Sequence, residues 1–226
     1  MIILGIDTST KTMSIGLVKD DVILGELNFY SNMDHSEKLI DNIKFLLESN
    51  VLSIKDVDLV GVAVGPGSFT GIRIGIATVK GLVEFNNTPV VGISSLEILS
   101  RNFSSSKWVA VAVDAKRDRV YGGIYKYLNG EIEIITEDLY NIEDFSNLLK
   151  NYEDIVLAGD INEIFKNEFN QSLNFAIEGN LINRGSNICF IAKREFEKGN
   201  TTTHLNLEAN YMTKPQAQMD LEKKNG

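Results

Sequence analysis

Two polar turns hold the residues of this sequence that are best suited to bind a phosphate or a metal ion. Asp7 ends a strand-like run and is followed by Thr8, Ser9 and Thr10, which puts one carboxylate and three hydroxyls in one turn. The second turn, Gly65-Pro66-Gly67-Ser68, joins an apolar strand pattern to a helical one, where free amides favour an anion. Asp, Ser and Thr also satisfy turn amides and cap helices, so both interpretations stay open. The candidate ligand-binding residues are Asp7, Thr8, Ser9, Gly65, Gly67 and Ser68.

Residue counts exclude several other kinds of site. The glycine-rich turn lacks the lysine of a P-loop, so phosphate transfer at this turn is unsupported. The two histidines, His35 and His204, are far apart in sequence and cannot build a multi-histidine or Glu-His zinc site. The single cysteine, Cys189, cannot form an intramolecular disulfide or a zinc ribbon, which fits a reducing cytoplasm. These counts therefore exclude a P-loop, a multi-histidine metal site and a zinc ribbon.

The charge balance limits the choice of partners. The 226 residues include 22 Lys and Arg against 31 Asp and Glu, a net charge of −9. Nucleic-acid binding depends on clustered Lys and Arg, so any role with RNA or DNA would need a basic partner. The longest apolar runs, near 60–64 and 109–113, are far shorter than the roughly 20 residues of a membrane-spanning helix. We expect a folded cytoplasmic protein that does not associate with membranes.

The hydrophobic periodicity of the first half predicts three strands followed by alternating helices and strands. The Asp20-Asp21 pair is typical of a tight hairpin between the second and third strands. The apolar pattern of Leu39, Ile40, Ile43, Leu46 and Leu47 then has helical spacing. The predicted elements are strands at 2–7, 12–19 and 22–30, a helix at 35–49, a strand at 57–64, a helix at 70–85, a strand at 89–93 and a helix that begins at Ser94 or Ser95.

The same order of elements returns after a polar linker at 102–106. Asp7, Gly16 and Lys19 recur as Asp114, Gly123 and Lys126, each 107 positions later, which favours a duplication. The predicted elements are strands at 108–113, 118–127 and 130–136, a helix at 141–150, a strand at 154–158, a helix at 160–168, a strand near 174–177 and a helix at 184–197. We predict a first lobe at 1–103 and a smaller second lobe at 107–226, with the tail from Leu205 packing back.

The predicted helix at 70–85 is apolar around most of its circumference, more than one sheet can bury. Gly71, Gly75 and Thr78 form a stripe of small residues that would allow a second helix to approach closely. In the preceding helix Phe45 projects among charged residues, either as a scattered surface residue or as an interface anchor. The pattern predicts that another surface, within this chain or on a partner, covers these helices.

Several motifs of this sequence are specific enough to indicate a family. The most specific is the run G-P-G-S-F-T-G-I-R-I-G at 65–75. The others are Ile3 to Ser9, His35-Ser36-Glu37, Ser94-Ser95-Leu96, Asp114-Ala115-Lys116, Val120-Tyr121 and the tail from Tyr211 to Ala217. Together they resemble one bacterial family, the TsaB (YeaZ-like) proteins of tRNA threonylcarbamoyladenosine biosynthesis. The resemblance implies an α/β, two-lobed actin-like (ribonuclease H-like) ATPase fold. Each lobe would be a mixed sheet with strand-strand-strand-helix-strand-helix order.

The resemblance also implies a non-catalytic role, with no metal site, no cofactor and no catalytic residue in this chain. The catalytic paralogue TsaD carries two metal-binding histidines four residues apart on the helix that here holds His35 and Leu39, and the second histidine is absent. The implied function is a scaffold subunit that binds TsaD, and with it TsaE. The complex transfers threonylcarbamoyl to the adenosine beside the anticodon of tRNAs that read codons beginning with A, and tRNA is reached only through the complex.

The family's pairing surface is formed by the first two helices of the first lobe. The implied partner interface comprises His35, Leu39, Phe45, Gly71, Ile74, Gly75, Thr78 and Leu82. The same surface is expected to form a homodimer when TsaD is absent. Two alternatives of other classes stay open: an ATP-dependent small-molecule kinase, suggested by Asp7 and the adjacent hydroxyls, and a metallopeptidase, which the two scattered histidines disfavour.

Overall fold

The computed structural model describes residues 1–30, 35–160, 174–175 and 181–212. The chain divides into two compact units. Unit 1 comprises Met1–Phe103 and Ile177–Ala209, and unit 2 comprises Ser104–Ala176 and Asn210–Gly226. Within the described residues, no helix combines the length and the apolar character that crossing a membrane requires.

Unit 1 is built on a mixed five-stranded sheet with the order β3-β2-β1-β4-β5. The strands β1, β2 and β3 form an antiparallel meander, and β4 and β5 continue the sheet parallel to β1. Asp20 and Asp21, with φ of 46° and 69°, form the tight turn between β2 and β3, which confirms the predicted hairpin. The strands are β1 (Ile2–Asp7), β2 (Thr12–Lys19), β3 (Val22–Tyr30), β4 (Leu59–Gly65) and β5 (Val90–Ser94).

Three helices of the first half cover this sheet: α1 (His35–Ser49), α2 (Phe69–Val83) and α3 (Ser95–Ser100). Alternation along β1 decides which face each side chain enters. Leu4 and Ile6 join the core that α1 and α2 close, whereas Ile3 belongs to a second core on the other face. The residues of α1 within the first core are Leu39, Ile43, Leu46 and Leu47.

Unit 2 repeats this arrangement, because its strand order is β10-β9-β6-β7-β8, with β6 in the central position of β1. The strands β6, β7 and β8 are antiparallel, and β9 and β10 continue parallel to β6. The elements are β6 (Trp108–Asp114), β7 (Arg119–Leu128), β8 (Glu131–Asn141), α4 (Ile142–Leu149), β9 (Val156–Ala158) and β10 (Asn174–Phe175). The predicted helix at 160–168 lies outside the described residues after Asp160. The two sheets confirm the predicted two-lobed α/β fold.

The register of the two central hairpins corrects the proposed 107-residue repeat. Asp7 is paired with Ser14 in unit 1, and Asp114 is paired with Val120 in unit 2, so the second hairpin is one residue shorter. If Asp7 and Asp114 are equivalent, the counterpart of Gly16 is Gly122 and not Gly123. The duplication therefore holds at the level of strand order, while the predicted equivalence is wrong by one residue in the second strand.

Helix α5 (Gly185–Glu197) lies against the sheet of unit 1 and not in the second lobe, which corrects the predicted boundaries. The reason is a cradle of glycines in the sheet. A Cβ atom on Gly16 would overlap the backbone of Gly185 and Ser186, and one on Gly61 would lie 2.8 Å from Ile188 Cγ2. The helix therefore rests almost directly on the strands. After it the chain remains in unit 1, where Leu207 is only 2% exposed.

Candidate functional site

The turn after β1 is buried and satisfied within unit 1. Asp7, Thr8 and Ser9 are 0%, 1% and 2% exposed. Asp7 Oδ1 accepts a hydrogen bond from the Ser9 amide at 2.5 Å, and its Oδ2 accepts one from Asn183 Nδ2 at 2.6 Å. Thr8 Oγ1 donates to the carbonyl of Gly71 at 2.7 Å, and Ser95 Oγ donates to Ser9 Oγ at 2.9 Å. The groups that the sequence offered to a ligand are hydrogen-bonded to other groups of unit 1.

The glycine-rich turn packs against the same residues. The Ser68 amide donates to the carbonyl of Ser9 at 2.7 Å, and a Cβ atom on Gly67 would overlap that carbonyl oxygen. Gly65 and Gly67 have φ of 115° and 155°, values that favour glycine. Ser68 Oγ accepts from the Gly71 amide at 3.2 Å, so the hydroxyl caps α2. The structure thus brings both predicted turns together, with Ser68 as a helix cap.

The small-residue stripe of α2 has a different role from the predicted one. Gly71 and Gly75 are buried, and a Cβ atom on Gly75 would lie 2.6 Å from Thr8 Oγ1. The stripe therefore accommodates the turn after β1, and its assignment to the partner interface is wrong at these two glycines. Leu39 is also inside the core, with 0% exposure.

The remaining predicted interface residues lie at the surface of α1 and α2 or border it. Phe45 is 60% exposed, and Ile74, Thr78 and Leu82 are partly exposed. Ile40, which the sequence pattern placed in the apolar stripe of α1, is 55% exposed. His35 begins α1, but its side chain lies outside what the structure describes. We call the residues Phe45, Ile74, Thr78 and Leu82 the helix face.

On the other side of the sheet, an ion pair joins α3 to α5. Arg194 Nη2 lies 2.7 Å from Glu97 Oε1 and 2.7 Å from Glu195 Oε1. Burial of the Glu97 carboxyl raises its pKa above the usual 4.5, because desolvation outweighs the attraction of the Arg194 guanidinium. Sequence reasoning missed this pair, since 97 positions separate its members. The ion pair links α3 to α5 on the side of the sheet opposite α1 and α2.

In unit 2 the turn after β6 contains mostly exposed charges. The Lys116 amide donates to Asp114 Oδ1 at 2.7 Å, and the Asp114 amide donates to Asp160 Oδ1 at 2.8 Å. Partial burial acts to raise the pKa of Asp114, but hydrogen bonds and charge attraction from Lys116 outweigh it and lower the pKa below 3.8. The Lys116 side chain is 82% exposed, as expected for a solvated turn. Among the residues described, no three or more His, Cys, Asp or Glu side chains are grouped to hold a metal ion.

The two mixed sheets with one strand order define a two-lobed α/β protein of actin-like fold, and comparisons with known proteins place it in a family. Residues 30–219 match the family model of TsaD, described as tRNA N6-adenosine threonylcarbamoyltransferase. The tRNA threonylcarbamoyladenosine biosynthesis protein TsaB of Bacillus subtilis is 34% identical over 159 residues, which cover 70% of this chain and 69% of that protein. The chain belongs to the TsaD family, as a TsaB/YeaZ-like member of the tRNA threonylcarbamoyladenosine biosynthesis proteins.

Solved structures agree with this assignment. A Pseudomonas aeruginosa protein, described as uncharacterized with similarity to peptidase YeaZ, has a TM-score of 0.84 and 25% identity, covering 94% of this chain and 99% of that one. A ROK hexokinase from Thermus thermophilus has a TM-score of 0.52 at 11% identity, covering 87% of this chain and 100% of that one. The second similarity concerns the fold alone.

Proposed function

We propose that this chain is a non-catalytic subunit that binds TsaD, and with it TsaE, and so supports threonylcarbamoyl transfer. The acceptor is the adenosine beside the anticodon of tRNAs that read codons beginning with A. The similarity to TsaB supports the pathway. The observation that carries the finer proposal is a contrast within unit 1. The polar groups of the turn after β1 are buried and hydrogen-bonded, whereas the helix face is exposed and partly apolar.

The absence of an active site in this chain is part of the proposal. In unit 1 the Asp7 carboxylate and the hydroxyls of Thr8 and Ser9 are engaged by protein groups and buried. A ligand would have to displace these hydrogen bonds and break the packing of α2 against the turn. Titration calorimetry with ATP and magnesium is expected to produce no binding heat. Saturable heat at a one-to-one ratio would instead favour the kinase alternative.

The proposed docking surface is the helix face. Phe45 stands exposed on α1, and Ile74 and Leu82 are only partly buried on α2. Also on α2, the Arg73 guanidinium lies 3.8 Å from the centre of the Phe69 ring. Aromatic and arginine side chains are enriched at protein interfaces. In the absence of TsaD, the same face is proposed to pair two copies of this chain.

Phe45→Glu tests this surface. We expect the substitution to reduce binding to TsaD by at least about tenfold, because a buried unpaired charge and a lost aromatic anchor each cost about 1.4 kcal/mol or more. Leu128→Glu is the matched control, since Leu128 is 55% exposed but lies in unit 2. Affinity is measured by calorimetry, and folding is checked by circular dichroism. Equal binding by both variants would exclude Phe45 from the interface.

Gly75→Arg, which the sequence alone favours as a probe, is unsuitable because the new side chain would overlap Thr8. Light scattering across a range of concentrations tests the proposed homodimer. We expect the average mass of the wild type to rise with concentration, while Phe45→Glu stays monomeric. A wild type that remains monomeric at every concentration would contradict the homodimer but not the complex with TsaD.

A further inference from the structure

We propose that Asp7 is a positioning residue for the helix face, acting through a buried hydrogen-bond chain from α2 to the segment that precedes α5. This inference rests on the proposed function, because it assigns the chain of hydrogen bonds to the helix that would contact TsaD. It gives Asp7 a role in place of the ligand contact that the sequence suggested. The chain of hydrogen bonds links Gly71, Thr8, Ser9, Asp7 and Asn183. It ends at Asn102, which bonds to the carbonyl of the residue before Asn183.

The chain starts at the first turn of α2. Two hydrogen bonds hold this turn to the residues after β1: Thr8 Oγ1 to the Gly71 carbonyl at 2.7 Å, and the Ser68 amide to the Ser9 carbonyl at 2.7 Å. The glycines of α2 leave no space between them and Thr8. Movement of the Thr8–Ser9 backbone would therefore move the start of α2 with it.

Asp7 is the central member. One carboxylate oxygen accepts from the Ser9 amide at 2.5 Å, and the other accepts from Asn183 Nδ2 at 2.6 Å. Asp7 is 0% exposed and Asn183 is 3% exposed, so water does not compete for these bonds. Loss of either partner would leave a buried polar group without its hydrogen bond, which is costly in the interior of a protein.

The far end of the chain is anchored close to the place where the polypeptide passes from unit 1 to unit 2. Asn102 Nδ2 donates to the carbonyl of Ile182 at 2.8 Å, and Asn187 Nδ2 donates to Asn102 Oδ1 at 2.7 Å. Asn102 immediately precedes Phe103, the last residue of the first segment of unit 1. The segment at 181–187 is therefore fixed from two sides, by Asp7 and by Asn102.

An exchange of the two central side chains tests the proposal. Asn183→Asp alone sets two carboxyl groups against each other, and Asp7→Asn alone sets two amides against each other in place of the carboxylate oxygen that accepts from Asn183 Nδ2. The double variant, Asp7→Asn with Asn183→Asp, restores a pair of one amide and one carboxylate with both hydrogen bonds available. Ser100→Ala is the control, because Ser100 is also fully buried and its hydroxyl bonds to the Glu97 carbonyl, away from α2.

The first measurement is amide hydrogen exchange in the chain without any partner. We expect each single variant to accelerate exchange at Ser68 and Gly71 by about tenfold or more relative to the amides of β4, and the double variant to restore protection. Ser100→Ala should leave the ratio unchanged. Uniform acceleration in all variants, without recovery in the double variant, would overturn the positioning role and leave Asp7 as a general stabilising residue.

The second measurement is affinity for TsaD, with a reduction of about fivefold or more expected in the single variants and recovery in the double variant. The two measurements separate the two proposals. If the wild type does not bind TsaD, the proposed function fails, while exchange at α2 still decides the role of Asp7. If binding is normal in all variants although exchange at α2 changes, the link to docking is overturned.

Discussion

At the end of α1, Val51 has a backbone conformation that L-residues with branched side chains rarely adopt. Its φ is 58°, and its side chain is 93% exposed. The Leu52 amide donates to the Leu47 carbonyl at 3.0 Å, the pattern of a helix end that usually has glycine at the position of Val51. The valine therefore stabilises neither the backbone nor the core of the isolated chain.

Val51→Gly is expected to raise the free energy of unfolding by roughly 0.5 to 1 kcal/mol. Relief of the left-handed strain exceeds the entropy that glycine adds to the unfolded chain. Urea denaturation measures the difference. Val22→Gly is the control, because Val22 is also exposed but lies in β3, where glycine should lower stability. A loss of stability in both variants would contradict the strain at Val51.

Glu97 gives a residue-scale prediction about pH. Its folded-state pKa is raised by burial, so its contribution to stability is complete below about 4.5 and is lost as the pH rises through the folded-state value. Wild type minus Glu97→Gln, compared by urea denaturation at each pH, should therefore give a difference in unfolding free energy that falls as the pH increases. A difference that grows with pH would mean that pairing with Arg194 outweighs desolvation.

At the scale of elements, the contact between α5 and the sheet is the most demanding feature of unit 1. Gly16 and Gly185 meet backbone to backbone, although 169 positions separate them. A local pattern cannot encode such a pair, because each glycine is also compatible with a turn or a bulge. The periodicity therefore predicted the helix at 184–197 within one residue of its start but assigned it to the wrong unit.

Gly16→Ala and Gly81→Ala test this contact with one and the same chemical change. The methyl group at 16 would overlap Gly185 and Ser186, and we expect a loss of about 3 kcal/mol in the free energy of unfolding. No atom lies within 4 Å of a Cβ atom at 81 in α2, and there alanine should add up to about 1 kcal/mol. Both values come from thermal or urea unfolding. Equal effects would contradict the close approach of α5.

Most of the elements and part of the candidate site were predictable from the sequence. The observed α2 begins one residue before the predicted start, and Phe45 is exposed, as both of its interpretations required. The role of Gly71 and Gly75 was not predictable in the same way. A stripe of small residues indicates that something approaches closely, but only the fold identifies the turn after β1, and not a partner helix, as the neighbour.

At the scale of the whole molecule, the two units share one strand order but differ in the turn after the central strand and in the helices that cover the sheet. In unit 1 the turn after the central strand is buried under α2, whereas its counterpart in unit 2 exposes the Lys116 side chain to solvent. Unit 1 also includes α5, which comes from a later part of the chain and packs on its sheet. Both units thus have the same sheet, and the added helix stabilises the unit that carries the helix face.

The net charge of −9 leads to the last prediction, which concerns tRNA. Binding to the phosphate backbone requires clustered cations, and four of the described basic residues, Lys44, Lys126, Lys193 and Arg194, are paired with carboxylates. Alone, the chain should therefore show no saturable binding to tRNA tighter than about 10⁻⁴ M in fluorescence anisotropy at physiological salt. The mixture with TsaD should bind, with an affinity that falls as salt rises. Saturable, salt-sensitive binding by the chain alone would mean that it binds tRNA directly. That result would contradict the proposal that tRNA is reached only through the complex.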